Sequence, residues 1–345
     1  MRRASPTHHR RCGLRGVRLR AGAAVLTTLV LVGCASNARL AELARPLQLP
    51  AVVELDSTPF HPQSEQQCGP AALATVLEAA GHAAPLDRLQ REIFVPGRQG
   101  SLQPELVAAI RARGLLPYEP GGDLGELIAE LAAGHPVLVL QKQGFGPWPA
   151  WHYAVAIGYD SGRGTVLLRS GTTERLELRA TVFDATWGRA ERWALVVLEP
   201  GRMPARPDLE RYLRAAASLE AVGQLDAARA AFAAAADHWP DQPMPRLGLA
   251  NIDAARGRWS EAERGYRAVL ALEPRLAAAL NNRAEALSRL GCHEAARHVL
   301  ERGAAQIDPE DPLRPALSRT LADIEARAAV AEAADPDVCA RLGQH

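Results

Sequence analysis

Apolar side chains recur at three- and four-residue spacing in four stretches, residues 70–80, 86–93, 103–113 and 124–133, and each stretch predicts an amphipathic helix. Gly81, Gly114 and Gly134 follow three of them as stop signals. Beyond residue 135 the pattern changes to short apolar runs at 136–140, 152–158, 166–168 and 192–198, which predict strands of an antiparallel sheet. The segment Tyr159-Asp160-Ser161-Gly162-Arg163-Gly164 predicts a hairpin turn, because it is short and rich in residues that tolerate positive φ. Helices first and strands second make one α+β domain over residues 51–200 rather than an alternating βαβ repeat.

Three prolines and a glycine between Glu199 and Pro207 mark a boundary, with a linker at residues 201–208. The Ala-rich remainder repeats at a period of 34. Gly223, Gly257 and Gly291 coincide, as do Ala228, Ala262 and Ala296, then Phe232, Tyr266 and Leu300, and Pro240 and Pro274, with Pro309 one residue late. This register resembles the tetratricopeptide repeat, in which small residues let paired helices cross closely and proline ends the unit. Residues 209–336 are therefore expected to form repeats with a closing helix from about Pro312, and residues 337–345 a tail. Such arrays present a concave groove suited to a peptide or protein partner.

Composition changes the picture mainly at the N-terminus. Of the 40 basic residues 39 are arginine, and seven of these precede residue 21, where there is no acid. An apolar run over residues 21–32 follows, too short to anchor a helix across a bilayer, and small residues surround Gly33. These are the parts of an export signal over residues 1–33. Its end, Leu31-Val32-Gly33-Cys34, resembles the bacterial lipoprotein cleavage box, which implies lipid on Cys34, a lipidated tether over residues 34–50 and a place in the cell envelope, on the periplasmic face of the outer membrane. Without the signal the net charge is −6 instead of +1, which disfavours nucleic acid as a partner. Cys68, Cys292 and Cys339 remain, with no spacing that suggests zinc; an oxidising compartment would allow Cys292 and Cys339 to pair.

Cys68 stands where a polar, Gln-bearing loop (Pro62-Gln63-Ser-Glu-Gln-Gln-Cys68-Gly69-Pro70) runs into an apolar helix. The unpaired N–H groups and dipole of a helix N-terminus favour the thiolate. Pro70 suits a first turn, where no donor is missed, and Gly69 lets a substrate approach the backbone. Of the four histidines in this domain, His61 lies in a Pro-flanked loop, while His82 and His135 each adjoin a glycine at a helix end. His152 instead begins a strand whose Ala154, Ala156 and Gly158 leave room for a packed helix, with Trp148 and Trp151 as walls.

The Gln-loop-Cys-Gly-Pro-Ala helix, the Gly-His-Pro-Val-Leu-Val strand and the His-Tyr-Ala-Val strand resemble the bacteriocin-processing, double-glycine-leader type of papain-like cysteine peptidase, over about residues 52–198. That resemblance implies a Cys68 nucleophile, a His152 base and an oxyanion donor at Gln63, with Gln66 and Gln67 as alternatives because the family's Gln stands one residue further from the Cys. The family's orienting Asp is absent. Ser170 occupies its place, and Asp160 and Asp184 are the charged alternatives. The expected fold is an α+β papain-like cysteine peptidase domain followed by an all-α tetratricopeptide-repeat solenoid. The expected activity is peptide-bond cleavage by a membrane-tethered thiol peptidase that needs no cofactor, its repeats recruiting a protein or peptide. The competing expectation is an inactive peptidase-like adaptor that only binds peptide.

Overall fold

The computed structural model describes residues 40–62, 67–98, 100–144, 150–330 and Cys339. The export segment, Cys34, Gln63, Gln66 and Trp148 lie outside the described residues, as does the tail apart from Cys339.

The N-terminal part holds β1 (Val52–Glu54), α1 (Cys68–Ala79), α2 (Leu86–Ile93), α3 (Gln103–Ala112), β2 (Leu116–Tyr118), α4 (Leu124–Ala132), β3 (Val137–Gln143), β4 (Ala150–Asp160), β5 (Thr165–Ser170), β6 (Thr173–Arg179), α5 (Ala180–Gly188) and β7 (Ala194–Leu198). The strands form one antiparallel sheet in the order β2-β7-β3-β4-β5-β6, with β1 added to the far end of β4. The expected helices and the antiparallel sheet are present, and Asp160 pairs with Thr165 across the predicted hairpin. Four elements were not expected: β1, β2, β6 and α5. The edge strand β6, Thr-Glu-Arg-Leu-Glu-Leu-Arg, is mostly polar, and α5 is rich in aromatic and β-branched residues that read as strand.

Strand alternation sorts the core onto two faces. On one, Leu138, Leu140, Tyr153, Val155 and Ile157 meet Leu73 and Leu77 of α1 and Leu106 and Ile110 of α3. On the other, Val137, Val139, Ala154 and Ala156 meet Leu127 and Ile128 of α4 and Phe183 and Trp187 of α5. Part of the stretch expected as tether joins this second face. Leu40 and Ala44, four apart on a helical turn, are buried there, and the Tyr159 hydroxyl donates to the Pro50 carbonyl at 2.8 Å.

The C-terminal part is a run of paired helices: α6 (Leu209–Glu220) with α7 (Leu225–His238), α8 (Pro243–Ala255) with α9 (Trp259–Leu272), and α10 (Ala277–Arg289) with α11 (His293–Ala304), closed by α12 (Arg314–Ala328). Gly223, Gly257 and Gly291 take φ of +78°, +70° and +80° in the turn inside each pair, a conformation that favours glycine. Ala228, Ala262 and Ala296 are fully buried, as close crossing requires. Leu317 and Ile324 of α12 cover the last pair, and a disulfide joins Cys292 to Cys339.

The two parts share a core. Tyr212, Leu219, Ala228 and Phe232 belong to the same buried cluster as Tyr118 and Val196. The Pro-rich stretch between them is held as well, Ala205 N–H donating to Glu130 at 2.9 Å, and just beyond it the Arg211 guanidinium of α6 pairs with Glu126 at 3.0 Å.

Candidate functional site

Cys68 is the first residue of α1, where the initial N–H groups of the helix lack partners within it, and its side chain is buried at 8% exposure. It nevertheless lines a cleft of about 520 Å³ together with Arg98, Ser101, Leu102, Trp151 and Tyr153. Gly69 allows the close fit beside it, because a Cβ there would come within 2.6 Å of Ser101 Cβ and Oγ. Tyr153 closes the cleft floor: its hydroxyl donates to the Ser101 carbonyl at 3.3 Å, and its ring meets Trp193 edge-on. Burial holds this phenol well above its usual range, with the charges of Cys68 and Glu105 adding to the effect. At the rim, Trp151 is 53% exposed and the Lys142 ammonium sits 5.2 Å from its ring centroid.

His152 is the third residue of β4. Its Nε2 lies 2.9 Å from Oγ of Ser170, the last residue of β5. His152 pairs across the sheet with Gln141, whose amide donates to Thr186 of α5 at 2.7 Å, so alternation sends the His152 side chain off β4 on the side opposite Tyr153. His152 thus stands near the first end of β4, between Trp151 and Tyr153 in the chain, two residues that line the Cys68 cleft. His152 is not itself a lining residue of that cleft.

The charged alternatives to Ser170 have other engagements. Asp160 accepts from the Arg163 N–H at 2.9 Å within its turn, and Asp184 pairs with Arg192 at 2.9 Å. The other three histidines of this domain each face a glutamate, His61 with Glu78, His82 with Glu199 and His135 with Glu130. Gln67 precedes Cys68 and donates weakly to Gln90 at 3.4 Å. Sequence reasoning did not reach Arg98, Gly100, Ser101 and Leu102, which line the cleft with Cys68. Their composition carries no catalytic pattern, and only the fold brings them to Cys68. Among the described residues no group of three or more His, Cys, Asp or Glu side chains could hold a metal ion.

The fold and cleft define a papain-like α+β domain with a cysteine at the head of its central helix, joined to a helical-repeat array. Residues 54–192 match the model of the Peptidase_C39 like family. Similar solved structures include a C39-like peptidase from Bacillus anthracis, 18% identical over 43% of this chain and 97% of that chain, with a TM-score of 0.37. They also include the peptidase domain of Streptococcus ComA, a bifunctional ABC transporter involved in quorum sensing, 19% identical over 41% and 98%, TM-score 0.34. For the repeats, the first TPR domain of Spaghetti, bound to an HSP90 peptide, is 19% identical over 35% and 95%, TM-score 0.32. No curated protein matches the chain.

Proposed function

We propose that the chain is a thiol peptidase whose nucleophile is Cys68 and whose base is His152, exported and held to a membrane by lipid on Cys34, with repeats that engage a peptide or protein. The observation that carries the reading is the 2.9 Å contact between His152 Nε2 and Ser170 Oγ, beside a cleft that holds Cys68 at a helix N-terminus. If Nε2–H donates to Ser170, the imidazole presents Nδ1 as its basic atom, and Nδ1 takes the thiol proton around the end of the sheet. The thiolate then attacks a peptide carbonyl while the N–H groups at the start of α1 stabilise the oxyanion, with a side-chain donor from Gln63, Gln66 or Gln67. His152 returns the proton to the leaving amine, and water releases the acyl group. A neutral Ser170 stabilises imidazolium less than a carboxylate would, which a cysteine enzyme tolerates because its thiolate is already a strong nucleophile.

The disulfide between Cys292 and Cys339 supports a place outside a reducing cytosol. A cleft between α6 and α8, with apolar Leu213, Met244 and Leu247 beside polar Asn251 and Arg214, suits an extended peptide. A peptide carrying a thiol-reactive acyl electrophile tests the reading. Labelling confined to Cys68 and abolished by His152→Ala supports it; equal labelling of wild type and His152→Ala favours a peptide-binding adaptor.

A further inference from the structure

Arg169 links the two halves of the site. It immediately precedes Ser170 in β5, and its side chain is buried at 7% exposure. The guanidinium donates from Nε and Nη2 to the Thr58 carbonyl at 3.2 and 3.0 Å, from Nη2 to the Asp56 carbonyl at 3.2 Å, and from Nη1 to the Glu174 carbonyl at 2.8 Å. All these acceptors are backbone atoms. A buried cation is expensive unless its donors are satisfied, and here a planar fork meets carbonyls of two separate segments. One of these, Asp56 to Thr58, lies in the stretch that follows β1 and precedes the Cys68 helix in the chain. A second fastening of the same stretch, His61 Nε2 to Glu78 at 2.9 Å, sits on the helix itself.

We propose that Arg169 is a positioning residue: its guanidinium fixes residues 56–58, whose stretch His61 ties to the Cys68 helix, against the strand end that carries Ser170, and so sets the register between sulfur and imidazole. This rests on the peptidase reading. Lysine cannot replace it, since an ammonium on a flexible stem cannot hold carbonyls of both segments in one plane. Arg169 touches no reacting atom, so its removal lowers the rate of the chemical step while leaving substrate affinity nearly intact.

The test uses the intact exported chain, wild type, Arg169→Lys and Arg169→Met, with the rate of Cys68 acylation by a neutral peptide electrophile measured against electrophile concentration and pH. If wild-type Cys68 reacts no faster than a simple thiol, the peptidase reading itself fails. If wild type is activated, the proposal expects both folded variants to lose about 100-fold in the limiting rate, as for displacement of a catalytic group by about 1 Å, with half-saturation changed less than threefold. Their pH profile should move toward that of an unpaired thiol. Unchanged limiting rates and profiles in folded Arg169→Met overturn the proposal. Loss of the fold in both variants also overturns it, since Arg169 is then a residue of general stability.

Discussion

The contact between His152 and Ser170 makes a quantitative demand on the chemistry. Ser170→Ala removes a neutral acceptor 2.9 Å from Nε2 and leaves the pocket almost filled. A neutral hydrogen bond has a net worth of about 1 kcal/mol, so the variant should lose about fivefold in acylation rate. Ser170→Asp instead sets a carboxylate at the same position. An opposite charge in contact raises an imidazole pKa by about 1–3 units, so the alkaline limb of the rate profile should move upward by that amount. Steady-state rates from pH 5 to 10 with a fluorogenic peptide, alongside site-resolved alkylation of Cys68, measure both effects. The reasoning is refuted if both variants keep the wild-type profile, because His152 then takes no part. A loss above about 100-fold in Ser170→Ala also refutes it, since a neutral hydrogen bond cannot supply so much.

Three further outcomes follow from the structure. Gly69→Ala places a Cβ 2.6 Å from Ser101, which should destabilise the N-terminal domain by about 1–3 kcal/mol and be relieved by Ser101→Gly in the same chain; a denaturant melt of the single and double variants checks this. All five tyrosines are held above their usual range by burial, Tyr212 up to about 12, so absorbance at 295 nm should show no tyrosinate wave near pH 10 in the folded protein. Because these acids have raised folded-state values, the stability they contribute is complete below pH 10 and is lost as pH rises through the folded values, and a reversible wave at pH 10 without unfolding would contradict it. Cys339→Ser opens a link spanning 47 residues, worth at most about 4 kcal/mol by chain entropy, so hydrogen exchange should quicken in α11 and α12, and equal exchange with and without the link would contradict that placement.

Much of this architecture was legible because local signals agree with the global fold. The helices α1 to α4 announce themselves through periodicity and terminal glycines, and the repeats through columns at a fixed period whose members, Ala228, Ala262 and Ala296, are the buried crossing points. The elements that escaped are short or polar. β1 and β2 have three residues each, and β6 is an edge strand whose exposed side has no reason to be apolar. Residues 40–50 read as tether because they lie between Cys34 and the first segment with a domain-like pattern, yet Leu40 and Ala44 find a core formed by distant segments. At the site, the cysteine and histidine were visible through local sequence context. Ser101 and Arg169 were not, since a serine in a loop and an arginine near a strand end carry no pattern until the chain folds.

The central claim is that the Cys68 sulfur and the His152 imidazole exist as an ion pair. The most direct measurement is the rate of Cys68 alkylation by a neutral haloacetamide between pH 4 and 10, resolved at that residue by mass spectrometry, in wild type and His152→Ala. The ion pair predicts an apparent thiol pKa below about 7.5 in wild type and a return toward about 8.5 in the variant. Identical titration of the two proteins at or above the ordinary thiol value would contradict it.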